Sequence, residues 1–141
     1  MTIGAILYGR TGAVISARPT DTVRAVIDLL AQHRIGAVPV VDSDSIVGIF
    51  SERDLVRLMS SYGPEALDRS LDEVMTKSPV TCESRMAVIA ALSLMTQKRI
   101  RHLPVVDDGR LVGFVSIGDL VKYRIDNIEA EAAAMRDYIA S

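Results

Sequence analysis

The sequence has no tryptophan, only two phenylalanines and four tyrosines, and a single cysteine, Cys82. One cysteine closes no disulfide within the chain, which suits a reducing compartment. So few aromatic rings leave no platform on which nucleic-acid bases could stack. No apolar run approaches the roughly 20 residues that span a bilayer, and residues 1–10 lack the pattern of a secretion signal. We therefore expect a soluble, cytoplasmic protein with no membrane segment.

An excess of either charge is also missing. The chain has 16 Lys and Arg residues against 18 Asp and Glu residues, a formal net charge of −2. This balance argues against a basic nucleic-acid binder and excludes a long acidic tail. Hydrophobic residues make up 49% of the 141 residues, and most of them are aliphatic, since aromatic residues are few. A chain of this length and composition is enough for one ordinary domain, or for two small domains that share a core.

The common catalytic and metal-binding patterns are absent as well. The two histidines, His33 and His102, neither pair at metal-ligand spacing nor neighbour Cys82. The sequence contains no glycine-rich phosphate loop and no serine in a nucleophile elbow. Cys82 lies at the end of a predicted buried strand, where we expect an inert core residue. The sequence therefore predicts a protein that is not an enzyme and that holds no metal.

The chain repeats itself with an offset of 65 residues. Residues 11–59 align without a gap on residues 76–124, and 17 of these 49 pairs are identical. The identities are densest around the two Pro-Val-Val-Asp segments that begin at Pro39 and Pro104. So many matches without a gap indicate a tandem duplication.

Each repeat predicts the element order β-α-β-β-α. Extended stretches at 13–16 and 79–82 precede a helix whose apolar residues recur with helical spacing. In the first repeat, Thr20 or Asp21 is the expected N-cap of this helix, and Gly36 follows its end. Two β-branched strands joined by a tight turn then form a hairpin, and a second helix follows. A right-handed crossover makes the first two strands of each repeat parallel.

We divide the chain into a first repeat, a linker, a second repeat and a C-terminal helix, at residues 1–60, 61–70, 71–125 and 126–141. One repeat alone buries too little apolar surface to be stable. We therefore expect a mixed α/β (α+β) fold in which two pseudo-symmetric repeats pack sheet to sheet. A short helix should lead into each repeat, at Ile3–Tyr8 and from Leu71 onwards.

The last residues differ from both repeats. From Asn127 the chain is rich in Ala and Glu and contains no helix breaker. Its apolar residues follow a heptad seam: Ile125, Ile128, Ala132, Met135 and Ile139. Two interpretations stay open, a terminal helix folded back on its own domain or a helix at a dimer interface.

One short pattern begins the second helix of both repeats: Ser51 followed by Asp54, and Ser116 followed by Asp119. A serine N-cap with an acid at N3 is a capping box, in which each side chain bonds the other residue's backbone N–H. The same carboxylate could accept both hydroxyls of a ribose, and the neighbouring N–H groups could bind phosphate. The two interpretations are compatible, since the capping geometry holds the carboxylate in place.

The doubled pattern resembles a known family. The first copy reads Arg34-Ile-Gly-Ala-Val-Pro-Val-Val-Asp and Gly48-Ile-Phe-Ser-Glu-Arg-Asp, and the second reads Arg99-Ile-Arg-His-Leu-Pro-Val-Val-Asp and Gly113-Phe-Val-Ser-Ile-Gly-Asp. Together they resemble a tandem pair of cystathionine β-synthase (CBS) domains, the Bateman module, over nearly the whole chain. The resemblance implies a regulatory, non-catalytic module that binds adenosine-containing ligands in clefts between the repeats, often as a homodimer.

The resemblance assigns each cleft to residues from both repeats, with Asp54 and Asp119 in the place of the ribose-binding Asp. For the main cleft it implies Ser51, Arg53, Asp54, Lys77, Pro79, Val80, Arg101 and His102. For the second cleft it implies Gly12, Val14, Ile15, Ala37, Ser116, Gly118 and Asp119. In the main cleft, the basic pair Arg101 and His102 should face the phosphate.

The two clefts differ in charge. Where the main cleft has its basic pair, the second has Gly36 and Ala37, with only Arg10 and Arg34 nearby. A charge-assisted hydrogen bond is worth about 1.5–3 kcal/mol, so the loss of two weakens phosphate binding about 100-fold or more. We expect a phosphorylated nucleotide mainly in the main cleft. The second cleft would hold an adenosine-like group, the far end of a dinucleotide, or nothing.

The leading hypothesis is a stand-alone regulatory module that senses energy or redox state and regulates an unidentified partner protein in trans. Its expected ligand is AMP, ADP, ATP or NAD(H), with S-adenosylmethionine less favoured, and the sequence does not rank them because all present the same ribose. The alternative is a ligand-free interaction module whose tail docks a partner. The presence of both Ser-x-x-Asp patterns argues against that alternative.

Overall fold

Each half of the chain folds as a helix, a two-stranded hairpin and a second helix. The computed structural model describes residues 1–141. The helices are α1 (Ile3–Tyr8), α2 (Val23–His33), α3 (Glu52–Tyr62), α4 (Leu71–Val74), α5 (Val88–Lys98) and α6 (Ile117–Ala140), with a 3₁₀ helix at Gly63–Asp68. The strands are β1 (Ala37–Asp42), β2 (Ser45–Ser51), β3 (Thr76–Lys77), β4 (His102–Asp107) and β5 (Arg110–Ser116). This mixed α/β architecture confirms the predicted fold class.

The two hairpins are equivalent residue by residue. β1 pairs with β2 and β4 pairs with β5, both antiparallel, and each register shifts once, after Val40 and after Val105. The two central turn residues have positive φ in both hairpins: Ser43 and Asp44 in the first, Asp108 and Gly109 in the second. Positive φ at both positions belongs to a type I′ turn, whose twist matches that of the strands. The Asp-rich turn sequences therefore form the tight turns that they predict.

The predicted first strand of each repeat is reduced to a single parallel bridge. Ala17 pairs with Val40, and its N–H donates to the carbonyl of Pro39 (3.0 Å). Cys82 makes the equivalent bridge in the second repeat. A longer parallel ladder would need an N–H from the proline on the middle strand, and proline has none. The parallel direction is confirmed, but the prediction of full strands before the helices is wrong.

The start of α2 differs from the prediction by one residue. The N-cap is Thr22, whose Oγ1 accepts a hydrogen bond from the N–H of Ala25 (3.2 Å), and neither Thr20 nor Asp21 takes that part. Asp21 instead accepts a hydrogen bond from the backbone N–H of Arg18 (2.8 Å). The carboxylate therefore closes the preceding turn, which leaves the threonine to cap the helix.

The ends of α2 and α5 are formed by arginines in the left-handed region. Arg34 has φ 53° and Arg99 has φ 55°, and the N–H of each bonds back to carbonyls of the preceding turn. Gly36, the residue expected after the end of α2, lies two positions further on and has no positive φ. A left-handed residue other than glycine costs roughly 1–2 kcal/mol, so both repeats carry the same local strain at the same place.

Each of the two short helices, α1 and α4, packs against the other repeat and not against the one that it precedes in the sequence. α1 precedes the first repeat, but Ile3 is fully buried in the core of the second, and the N–H of Gly4 donates to the carbonyl of Ser84 (2.8 Å). α4 precedes the second repeat, but Leu71 is fully buried in the core of the first. Residues 1–8, which the sequence places with the first repeat, thus complete the second core and tie the two repeats together.

Each repeat encloses a core of nine buried residues. The first core contains Ala17, Val23, Val26, Leu30, Val38, Val40, Phe50, Leu71 and Met75. The second contains Ile3, Cys82, Val88, Ala91, Met95, Leu103, Val105, Val115 and Leu120. Between the repeats, the predicted linker is an ordered segment whose 3₁₀ helix buries Ala66 completely.

The C-terminal residues continue the last helix of the second repeat. α6 runs without a break for 24 residues, so residues 126–141 do not begin a separate helix. Its apolar seam is uncovered: Ile125 and Ile128 are each 48% exposed, Met135 is 60% exposed and Ile139 is 75% exposed. The interpretation in which this tail folds back on its own domain is therefore wrong.

Candidate functional site

A cavity of about 1160 Å³ lies between the two repeats. Small-molecule sites in proteins usually enclose about 300–1,000 Å³, so this one has room for a nucleotide or more. Residues 51–54 at the start of α3 and residues 116–119 at the start of α6 both line it. Two helix N-termini, which attract anions through their free N–H groups and their dipoles, thus meet in one space.

Both serine–aspartate pairs form complete capping boxes. In the first, Ser51 Oγ accepts from the N–H of Asp54 (3.3 Å), and Asp54 Oδ2 accepts from the N–H of Ser51 (2.9 Å). In the second, the corresponding distances between Ser116 and Asp119 are 3.1 Å and 2.8 Å. Each carboxylate is therefore fixed at the cavity wall by its own helix, which is the geometry that both interpretations of the pattern require.

Thirteen of the fifteen predicted site residues line the cavity. From the main cleft these are Ser51, Arg53, Asp54, Pro79, Val80, Arg101 and His102, and from the second cleft Gly12, Val14, Ile15, Ser116, Gly118 and Asp119. The other two, Lys77 and Ala37, lie elsewhere. Lys77 is exposed on β3, between Thr76 and Ser78, which do line the cavity. Ala37 is only 2% exposed and lies at the start of β1, next to Gly36, which lines the cavity.

Arginine dominates the charge of this cavity. Six arginines line it, at positions 10, 34, 53, 57, 99 and 101, against three acids, Glu52, Asp54 and Asp119. Six positive charges less three negative ones leave a formal +3, in a chain whose net charge is −2. Arginine binds phosphate through two parallel N–H donors, so the cavity is built to hold an anion with several oxygen acceptors.

Four of these arginines were not among the predicted site residues: Arg10 and Arg34 were expected only near the second cleft, and Arg57 and Arg99 were not predicted. Arg57 follows Asp54 by three residues on α3, a spacing that places both on one side of a helix. Arg34 and Arg99 end the two helices in the left-handed conformation described above, and both reach the cavity wall. The spacing of Arg57 from Asp54 could be read from the sequence. That the arginines at the ends of α2 and α5 line the cavity could not, because it depends on where the chain turns after each helix.

Asp119 carries an ion pair that Asp54 lacks. Arg10 Nη2 lies 2.9 Å from Asp119 Oδ2, and Arg10 Nη1 donates to the carbonyl of Phe114 (2.8 Å). Burial alone would raise the pKa of the Asp119 carboxyl, but hydrogen bonds from the Ser116 N–H and from Arg10 hold that pKa below its ordinary value. Asp54 accepts hydrogen bonds only from Ser51 within the protein.

The imidazole of His102 stacks on an aromatic ring at the cavity wall. Its imidazole lies on the ring of Phe114, with the centroids 5.5 Å apart and the planes 10° from parallel. Burial lowers the pKa of His102 and the charge of Arg101 lowers it further, against the opposing effect of Asp119 and Glu52. Burial and Arg101 thus favour the neutral imidazole, whereas the sequence predicts that Arg101 and His102 both face the phosphate as a basic pair.

Cys82 lies in the second core, away from the cavity. The residue is 6% exposed. Burial, with the nearby Asp107 charge, raises the pKa of its thiol to about 11. A buried thiol with so high a pKa is unreactive at neutral pH, in agreement with the predicted core residue.

No three His, Cys, Asp or Glu side chains are grouped so that they could hold a metal ion. None of the helices is both long and apolar enough to cross a membrane.

Comparison with known proteins identifies the family. A family model described as the CBS domain matches residues 10–61 and again residues 71–126. The chain therefore belongs to the CBS-domain family and contains two copies of the domain, as the internal repeat predicted.

The similarity extends over most of each relative. The CBS domain-containing protein YhcV of Bacillus subtilis is 33% identical over 123 residues, which are 87% of each chain. A crystal structure of a CBS-domain containing protein from Agrobacterium tumefaciens is 37% identical, with a TM-score of 0.82, over 87% of this chain and 92% of that one. Two other curated relatives are longer, and the chain spans 60% and 63% of them.

A ligand is present in a further similar structure. The crystal structure of CBSX2 in complex with AMP is 26% identical, with a TM-score of 0.75, and the match covers 89% of this chain and 96% of that one. A protein of the same architecture thus binds an adenine nucleotide.

Proposed function

We propose that this protein binds a phosphorylated adenine nucleotide (AMP, ADP, ATP or NAD(H)) in the cavity between its two CBS repeats and regulates a partner protein in trans. The observation that carries the proposal is the combination in one cavity of a fixed carboxylate, Asp54, with an excess of arginine. A ribose presents two hydroxyl donors and a phosphate presents only acceptors, so a nucleotide satisfies both groups at once. The AMP complex of CBSX2 supports the class of ligand.

The charge of the cavity favours phosphorylated ligands over S-adenosylmethionine. The formal +3 of the lining side chains attracts the negative charges of AMP, ADP or ATP. The sulfonium of S-adenosylmethionine would enter the same space with a positive charge and without a phosphate. Because the attraction grows with ligand charge, we expect ATP and ADP to bind at least as tightly as AMP.

The main site is proposed to lie at Asp54, with Ser51, Arg53, Arg101, Pro79 and Val80 around the nucleotide. Asp54 has no protein cation bound to it, so its carboxylate is available to the ribose. Arg53 and Arg101 are both exposed at the cavity wall, and we expect them to donate hydrogen bonds to the phosphate. The second cleft, at Asp119, is proposed to hold an adenosine-like group, the far end of a dinucleotide, or nothing.

We also propose that the protein forms a homodimer through α3 and α6. Val56 on α3 and Val121 on α6 are equivalent under the repeat and are 68% and 43% exposed. On α6, Ile125 and Ile128 follow Val121 by four and seven residues, so the three exposed side chains lie on one side of this helix. A second copy of the chain would cover these residues, and a ligand between the repeats would then change the relative arrangement of two joined modules.

The ligand-free interaction module remains the second candidate, because the exposed apolar residues of α6 favour a protein partner. Thermal unfolding with AMP, ADP, ATP, NAD⁺, NADH or S-adenosylmethionine separates the two. A ligand at 100 times its dissociation constant adds about 2.7 kcal/mol, which raises the midpoint by several degrees in a chain of this size. The proposal requires stabilisation by a phosphorylated nucleotide that is lost in Asp54→Asn. If none of the six ligands raises the unfolding midpoint, the ligand-free interaction module replaces nucleotide binding as the proposed function.

A further inference from the structure

The side chain of Arg10 lies against Asp119 at the second capping box. Arg10 follows α1, and its guanidinium uses two nitrogens: Nη2 lies 2.9 Å from Asp119 Oδ2, and Nη1 donates to the Phe114 carbonyl at 2.8 Å. Two contacts through two different nitrogens fix both the position and the orientation of a planar group. The guanidinium therefore lies on the carboxylate to which the hydroxyls of a ribose in this cleft would donate their hydrogen bonds.

The main cleft has no counterpart of this arginine. Under the offset of 65 residues, the position equivalent to Arg10 is Met75. Met75 is 9% exposed and lies in the first core, where its Sδ packs over Gly48. Because Met75 is uncharged and buried, it forms no ion pair with Asp54. The two repeats therefore differ at the position that decides whether the aspartate is paired with an arginine.

The fold holds Arg10 in place. Ile3 of α1 is fully buried in the second core, and Leu7 packs against Gly113 on β5. Arg10 is three residues beyond Leu7, so its backbone is tethered beside the strand that carries Phe114. The ion pair itself is partly open to solvent, with the two side chains 41% and 38% exposed. Such a pair is of modest strength, and a ligand competes with it without the protein having to unfold.

We propose that Arg10 occupies the Asp119 cleft as an internal substitute for a ligand, and that it thereby limits each chain to one nucleotide. This inference rests on the proposed function, because it presumes that nucleotides bind through these aspartates. For the removal of Arg10, this inference predicts the opposite change in nucleotide binding from the one expected of a phosphate-binding arginine. If Arg10 were a phosphate ligand, its removal would weaken nucleotide binding, whereas an internal substitute, once removed, opens a site.

The test is the number of ATP molecules bound per chain, measured by isothermal titration calorimetry. The variant Arg10→Gln removes the charge, and Arg10→Ala removes the side chain beyond Cβ. Arg24→Gln is the matched control, because Arg24 also forms a partly exposed ion pair, with Asp68, but does not line the cavity. The double variant Arg10→Gln with Asp119→Asn shows whether a new site depends on the second aspartate.

We expect wild type and Arg24→Gln to bind one ATP per chain, and Arg10→Gln and Arg10→Ala to bind two. The double variant should return to one. Arg10 variants that still bind one ATP, or that bind the first ATP more weakly, would overturn the inference while leaving the proposed function intact. If wild type binds none but the Arg10 variants bind one ATP that Asp119→Asn abolishes, the inference stands and the site at Asp54 fails. No binding by any variant would overturn both.

Discussion

Met75 lies so close over Gly48 that a Cβ on the glycine would be 2.5 Å from the methionine sulfur. The second repeat has the same relationship between Leu7 and Gly113, where a Cβ would lie 2.5 Å from a methyl carbon. In both cases the covering side chain comes from the segment that leads into the other repeat. Glycine in the second strand of each hairpin is thus the position at which the crossing segments can pack.

We predict that Gly48→Ala destabilises the protein by about 1–3 kcal/mol, the usual cost of forcing an extra group into a packed core. The added methyl would meet the sulfur of Met75 and the carbonyl of Thr76, and the backbone cannot move aside as a flexible side chain can. Urea denaturation measures the change. Gly9→Ala is the control, because a Cβ there meets nothing within 4 Å. Equal midpoints for the two variants would show that the crossing segment is not closely packed.

The dimer prediction concerns the uncovered seam of α6. Ile128→Glu places a charge in the proposed interface, and we expect it to convert a dimer into a monomer. Ile89→Glu is the matched control, because Ile89 is 62% exposed on α5, outside the proposed interface. Sedimentation equilibrium at micromolar concentrations gives the masses. A monomeric wild type, or a dimer that survives Ile128→Glu, would contradict the proposed interface.

His102 gives a pH dependence with a definite sign. Because burial and Arg101 hold its pKa below the ordinary value of 6.5, the unfolded chain takes up a proton before the folded one as the pH falls. The contribution of His102 to stability is therefore complete above pH 6.5 and is lost as the pH falls from there through the pKa of the folded state.

An NMR titration of the imidazole C–H resonances measures this pKa directly. The chain has only two histidines, so His33→Gln assigns the signal of His102. We expect the midpoint of His102 below 6.5, and a smaller loss of stability on acidification in His102→Gln than in wild type. A midpoint above 6.5 would restore His102 as a second cation beside Arg101.

Cys82 should be inert in the folded protein. The thiol is buried and its pKa is raised to about 11, so the reactive thiolate is scarce at neutral pH. We expect a disulfide reagent such as Ellman's reagent to label it slowly at pH 7.5, at a rate limited by unfolding, and rapidly in concentrated guanidinium. Rapid labelling of the folded protein would show that the second core opens around Cys82.

The fold of each repeat could be predicted from the sequence because the same pattern of residues occurs twice. The offset of 65 residues placed both hairpins and both capping boxes, since each depends on a local pattern present in both copies. The crossing of α1 to the second core was not predictable in the same way. Its decisive residues, Ile3 and Leu7, are ordinary apolar residues whose partners lie far away in the sequence.

Most of the predicted site residues line the cavity, but the charge contacts there were not predictable from the sequence. The pattern placed Asp54 and Asp119 correctly at the wall of the cavity. It did not show that Arg10 forms an ion pair with one of them, because that contact spans 109 residues and depends on where α1 packs. Nor did it show that His102 stacks on Phe114, since the pairing of adjacent strands decides which side chains meet.

The central claim is that a phosphorylated adenine nucleotide binds at Asp54. Equilibrium dialysis with radiolabelled ATP, on wild type, Asp54→Asn and Asp119→Asn, tests it most directly. The two variants alter equivalent capping boxes, one in each repeat, and Asp119→Asn also removes the ion pair with Arg10, so the unfolding midpoint of each variant is measured alongside. We predict that Asp54→Asn weakens ATP binding about tenfold to a hundredfold, the value of charged hydrogen bonds to a ribose, and that Asp119→Asn changes it less than about threefold. Equal losses in the two variants, or a loss confined to Asp119→Asn, would contradict the account.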